Sequence, residues 1–156
     1  GASVVPSICR ATFDRRTLVG EDEALILGQV EEAIEKARKK VPDLKARVFL
    51  AEGKEQCWTG ETIEAKRYFP AWLIDEKDEL VQKALAGLKE AGIDAPISHF
   101  SFCTNGSHFC GEAGIPCIGF GPSLESLAHV RDEYIEVEQL KKACRGFYGI
   151  LSQLTK

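Results

Sequence analysis

Hydrophobic and polar positions change period several times along the chain. Residues 8 to 14, ICRATFD, alternate, with Cys9, Ala11 and Phe13 on one side and Arg10, Thr12 and Asp14 on the other, which predicts a strand that Arg16 would extend along its polar face. From Glu21 to about Lys40 the apolar positions 26, 27, 30, 33, 34 and 37 mark one stripe of a helix. Acids open that segment and bases close it, as the helix dipole prefers. Alternation returns at 45 to 51, KARVFLA, and predicts a second strand. Residues 53 to 73 hold no sustained period, so an irregular crossing segment and a domain boundary are expected there.

The pattern then restarts. Leu80, Val81, Ala84, Leu85 and Leu88 predict a helix ended by Gly92, and a strand is expected at 97 to 103. A short helix should run from Asn105 to about Gly114. The nearly all-apolar run IPCIGF at 115 to 120 suits a strand covered on both faces, as in a parallel or mixed α/β sheet. A last helix from about Glu136 to Leu154 carries its stripe at 137, 140, 144, 147, 151 and 154. The fold class expected is therefore α/β, with a small α+β unit ahead of it.

Composition narrows the partners. With 156 residues, 44% of them hydrophobic, the chain can supply a core as one medium domain or two small ones. The net charge of −4, and basic residues that end an acidic helix instead of forming a face, argue against nucleic acid. No apolar run approaches a membrane span, and the first residues lack the regions of a signal peptide, so no membrane and a cytoplasmic location are expected. Six cysteines, none in a C-x-x-C pair, read as buried free thiols.

His129 stands in a loop turned by Gly119, Gly121 and Pro122, after the predicted strand 115 to 120. Loops at strand C-termini of α/β sheets gather ligands. A capping or surface histidine fits the spacing as well, because no second histidine lies at H-x-H or H-x3-H distance.

The runs VVPSICRATFDRR and GIPCIGFGPSLESLAHVRDEYI, each followed by a helix, resemble the C-terminal half of the M20 metallopeptidases. CWTG, RYFPAW and Cys103-Thr104-Asn105-Gly106 are most similar to a subgroup of hydrolases linked to selenium metabolism. This resemblance implies part of a zinc-peptidase-like α/β catalytic domain at 68–156 and the later part of an inserted α+β, ferredoxin-like lid and dimerisation domain at 1–67. It implies a hydrolase of amide bonds in N-acyl amino acids, dipeptides or related small molecules, using two zinc ions per full-length subunit, with cobalt or manganese as alternatives. His129 matches the family's last metal ligand. Arg16 matches the lid arginine that binds a substrate carboxylate, for which a guanidinium fork is suited; a solvated pairing with Asp14 is the plain alternative.

Ser3 occupies the position of an asparagine that in many relatives helps hold the reacting carbonyl. Asn105 and Gly106 would offer amides to an anionic group, or would simply cap a helix together with Thr104. Gly121 would let the backbone approach the substrate, and Ser123 stands where the commoner corner has a glycine. The remaining metal ligands and the general base Glu lie upstream in the family, and this sequence has no H-x-D motif. A C-terminal fragment is therefore expected, inactive alone, completed by an N-terminal half of the catalytic domain, and forming a homodimer through the lid. A non-catalytic relative or an isolated module acting in dimerisation or binding is the alternative.

Overall fold

The computed structural model describes residues 4–156, which divide into two compact units, one ending at Ala71 and the other spanning Trp72–Lys156. Ser3 lies outside the described residues.

In the first unit the helix expected from the stripe forms as α1, Glu23–Arg38. It begins where the Asp22 side chain accepts the Leu25 N–H at 2.8 Å, satisfying one of the amides that a helix start leaves without a partner. Glu23 in the first turn and Lys36 and Arg38 in the last suit the dipole. The Arg38 guanidinium also holds the Ala46 carbonyl at 2.7 Å. Of the predicted stripe only Ile26 is buried.

The strands differ from expectation. Neither 8 to 14 nor 45 to 51 forms a strand, although the Ala51 carbonyl accepts the Arg67 N–H at 2.7 Å, whereas the paired strands β1, Glu52–Gln56, and β2, Thr62–Lys66, fall almost wholly in the segment expected to be irregular. They run antiparallel with Glu52 opposite Lys66 and Gln56 opposite Thr62. The reversal is closed by Cys57 N–H to the Glu61 carbonyl at 2.7 Å and Gly60 N–H to the Cys57 carbonyl at 2.9 Å. Gly60 sits at φ +92°, which a side chain would oppose. The hairpin escapes a periodicity search because both strands are almost wholly exposed, so neither needs an apolar face. Its legible signal is the glycine-containing five-residue reversal Cys57–Glu61.

The second unit is built on two helices, α2, Glu79–Glu90, and α3, Val137–Leu154. Asp78 caps α2 by accepting the Leu80 N–H at 2.8 Å. Gly92, at φ +71°, ends it: its own N–H bonds the Lys89 carbonyl and the Ile93 N–H bonds the Leu88 carbonyl, the paired bonds of a Schellman motif. Ala84, Leu88, Ile93 and Ile150 form the core, with Ile118, Phe120 and Leu154 packed against them.

α2 and α3 meet backbone to backbone. A Cβ on Gly87 would fall 2.3 Å from the Gly149 carbonyl oxygen, so the crossing exists only because both positions are glycine. This rotates α3 away from the predicted stripe. Ala143, Gly146, Gly149 and Ile150 are buried, while Val137, Leu140, Phe147 and Leu151 remain exposed, because close approach selects small residues over large ones.

Segments 97 to 103 and 115 to 120 form no ladder. Ile118 and Phe120 nevertheless face the core, and Phe120 meets Phe147 edge-on with centroids 5.1 Å apart. The short helix expected at 105 to 114 appears as a single π-helical turn, Ser107–Glu112. All six cysteines are free, but none is buried: Cys9, Cys103 and Cys144 are exposed and the others half-buried. Cys144, for instance, lies on the side of α3 that the glycine crossing turns outward. No helix among the described residues is long and apolar enough to cross a membrane.

Candidate functional site

His129 lies in the loop between the 3-10 turn Glu125–Leu127 and α3, and it is exposed. Three residues that are not glycine adopt the left-handed region, Ser123 just ahead of the 3-10 turn at φ 78°, and His129 at φ 62° and Asp132 at φ 58° in the loop after it. Each costs free energy that the surroundings must offset, a condition that concentrates at functional loops. Two side chains supply the restraint. Gln139, on α3, accepts the Ser123 N–H through its Oε1 at 2.7 Å, and Glu133 accepts the His129 N–H through its Oε2 at 3.0 Å. Glu125, in the 3-10 turn, accepts the Ser101 hydroxyl.

The imidazole of His129 is suited to give one lone pair to a metal. Among the described residues no three His, Cys, Asp or Glu side chains come together to hold a metal ion. A closed zinc site takes four ligands and a catalytic one three, so these residues alone do not fit the group.

Gly121 has open space where a Cβ would stand. Gly106 does not: a Cβ there would fall 2.7 Å from the Trp72 ring, so packing against Trp72 already requires a glycine. The amides that follow Asn105 are engaged locally. Gly106 N–H donates to Thr104 Oγ1 at 3.1 Å, Ser107 N–H to the Thr104 carbonyl, and His108 and Phe109 N–H to the Asn105 carbonyl. An anion there would have to displace these bonds. On the same turn His108 Nδ1 lies 2.8 Å from Glu112 Oε2. Farther along, burial pushes the Cys117 thiol above its ordinary value, and the charge of Cys110 adds to the effect.

In the first unit two adjacent arginines have different surroundings. Arg15 donates to Gln29 Oε1 at 2.7 Å and to Glu21 Oε1 at 2.5 Å. The second Glu21 oxygen accepts the Leu18 N–H, and that bond first, then Arg15, holds the Glu21 carboxyl below its ordinary value. The Arg16 side chain is 67% exposed, and Asp14 Oδ2 lies at 3.9 Å from its Nη2. An ion pair so exposed contributes little, leaving the guanidinium available. On the other side Thr17 Oγ1 donates to the Phe69 carbonyl at 3.1 Å and accepts the Ala71 N–H at 3.0 Å. Sequence reasoning singled out Arg16 and missed Arg15, Thr17, Glu133 and Gln139, whose partners lie on other segments or are backbone groups.

A sequence profile of Peptidase family M20/M25/M40 matches residues 7–153. The uncharacterized protein YgeY of Escherichia coli (strain K12) is 33% identical over 131 residues, covering 83% of this chain and 31% of YgeY. YgeY of Escherichia coli O157:H7 matches to the same extent. The chain thus spans about a third of the length of the curated relatives it matches. No solved structure matches it.

Proposed function

The chain belongs to peptidase family M20/M25/M40, and from that membership we propose that it is the C-terminal part of a metal-dependent hydrolase of amide bonds. The family match over residues 7–153 carries this reading. The substrate class is an N-acyl amino acid, a dipeptide or a related small molecule with a free carboxylate. The motifs CWTG, RYFPAW and GIPCIGFGP support a place near the hydrolases linked to selenium metabolism. Residues 1–67 serve as the later part of a lid through which two subunits associate, and residues 68–156 return to the catalytic domain.

His129 contributes one imidazole donor to a two-zinc centre whose other ligands, with the general base, come from sequence outside these 156 residues. The neutral ring must present one nitrogen to the metal while the main chain fixes where the ring starts. The Glu133 carboxylate on the His129 N–H serves that placement. Arg16 receives the substrate carboxylate, its planar fork matching two oxygens at once.

In the complete protein, His129→Ala should lower the zinc content measured by elemental analysis from two ions towards one and abolish hydrolysis of an N-acetyl amino acid. Two zinc ions with full activity in that variant would overturn the assignment.

A further inference from the structure

We infer that Arg15 and Thr17 are positioning residues that hold Arg16 ready for a carboxylate. The inference rests on the reading of Arg16 given above and adds the residues that make it work. Arg16 is flanked on both sides by side chains tied to other parts of the same unit. Arg15 reaches Gln29 within α1 and Glu21 just ahead of it. Thr17 reaches the segment that follows β2, donating to one main-chain group and accepting from another two residues on. A hydroxyl can do both at once; few other side chains of that size can.

The consequence is a division of labour between neighbours. An arginine free at both its backbone and its side chain loses much freedom when it binds, and that loss subtracts from affinity. With the residues before and after it anchored, the main chain of Arg16 is ordered when the unit folds, and only the side chain remains to be ordered by the ligand. Glu21 completes the anchor. It accepts from Arg15 with one oxygen and from Leu18 N–H with the other, and Tyr68 donates its hydroxyl hydrogen to the Glu21 carbonyl at 3.0 Å. Arg15 cannot read the substrate itself, since its guanidinium is already shared between Glu21 and Gln29. The adjacent arginines therefore do different things, one structural and one exposed.

The test uses the complete protein as wild type, Arg16→Ala, Arg15→Met, Thr17→Val and Thr17→Ser. Dissociation constants for two probes that lack the scissile amide, 2-methyl-4-oxopentanoic acid (N-acetylalanine with its NH replaced by CH2) and its methyl amide, are measured by titration calorimetry, with thermal unfolding alongside. Arg16→Ala should weaken the acid by about 10- to 100-fold, the size of a charge-assisted pair, and leave the amide unchanged. Arg15→Met and Thr17→Val should weaken the acid by about three- to tenfold without affecting the amide, because a misplaced fork fails only where a fork is used. Thr17→Ser keeps the hydroxyl and should stay within about twofold of wild type.

Wild-type binding of the acid by Arg16→Ala would remove the carboxylate reading and this inference with it. An acid-selective loss in Arg16→Ala with none in Arg15→Met or Thr17→Val would overturn the positioning role alone. Equal losses for acid and amide would also overturn it, by making these residues structural. Should Thr17→Val fail to fold, Arg15→Met and Thr17→Ser still decide.

Discussion

Ser123 and His129 hold backbone angles that side chains avoid, and in each the N–H is held by a side-chain acceptor. A left-handed residue other than glycine costs about 1–2 kcal/mol. Gln139 on the Ser123 N–H and Glu133 on the His129 N–H are the visible restraints. Glycine at 123 would adopt φ 78° freely, at the expense of a looser unfolded chain worth about 0.5–1 kcal/mol. In the complete protein, Ser123→Gly should therefore stabilise by about 0.5–1 kcal/mol in urea unfolding. A loss of stability would mean that the serine side chain contributes something beyond the backbone bond to Gln139. The sequence marks the loop itself clearly, since Gly119, Gly121 and Pro122 announce a turn before His129. It does not mark the anchors of Arg16, because Gln29, Phe69 and Ala71 lie 14, 52 and 54 residues from the groups they hold.

At the scale of elements, helices were legible and strands were not, and hydrogen bonding explains the difference. A helix closes its bonds within one segment, so caps and stripe suffice: Asp22, Asp78 and Gly92 each act at the boundary that their residue type suggests. A strand exists only where another segment pairs with it, and alternation at 8 to 14 or 45 to 51 names a face without naming a partner. The same reasoning separates two helical glycines. A Cβ on Gly28 in α1 would meet nothing within 4 Å, whereas one on Gly87 in α2 would fall 2.3 Å from the Gly149 carbonyl oxygen. Gly28→Ala should stabilise by up to about 1 kcal/mol through helix propensity. Gly87→Ala should destabilise by about 1–3 kcal/mol, because the atoms in its way are backbone and cannot turn aside. Thermal melts of both variants of the complete protein check this. Stabilisation at 87 would mean that α2 and α3 can move apart without cost.

At the scale of the molecule, the surface is larger than a chain of this size keeps when it stands alone. The accessible area is 12924 Å², against about 7,800 Å² for a compact monomer of this mass. Even two separate bodies of half that mass would expose only about 9,400 Å². The excess of roughly 3,500 Å² is more than the roughly 1,000–2,500 Å² that one partner of an obligate complex buries. Much of it is apolar: Phe13 is 83% exposed, Leu73 74%, Tyr148 77% and Trp58 97%. Such area costs free energy in water at about 25 cal/mol per Å², so further polypeptide that covers it would be strongly favoured. This agrees with a chain that spans 31% of its relatives and, as proposed, completes its site from sequence elsewhere. The 156-residue chain by itself should bind the dye 1-anilinonaphthalene-8-sulfonate strongly and melt over a broad range, as loosely covered apolar surface does. The complete protein should bind little dye per chain and melt sharply. A sharp transition without dye binding in the 156-residue chain would show that the chain needs no further covering.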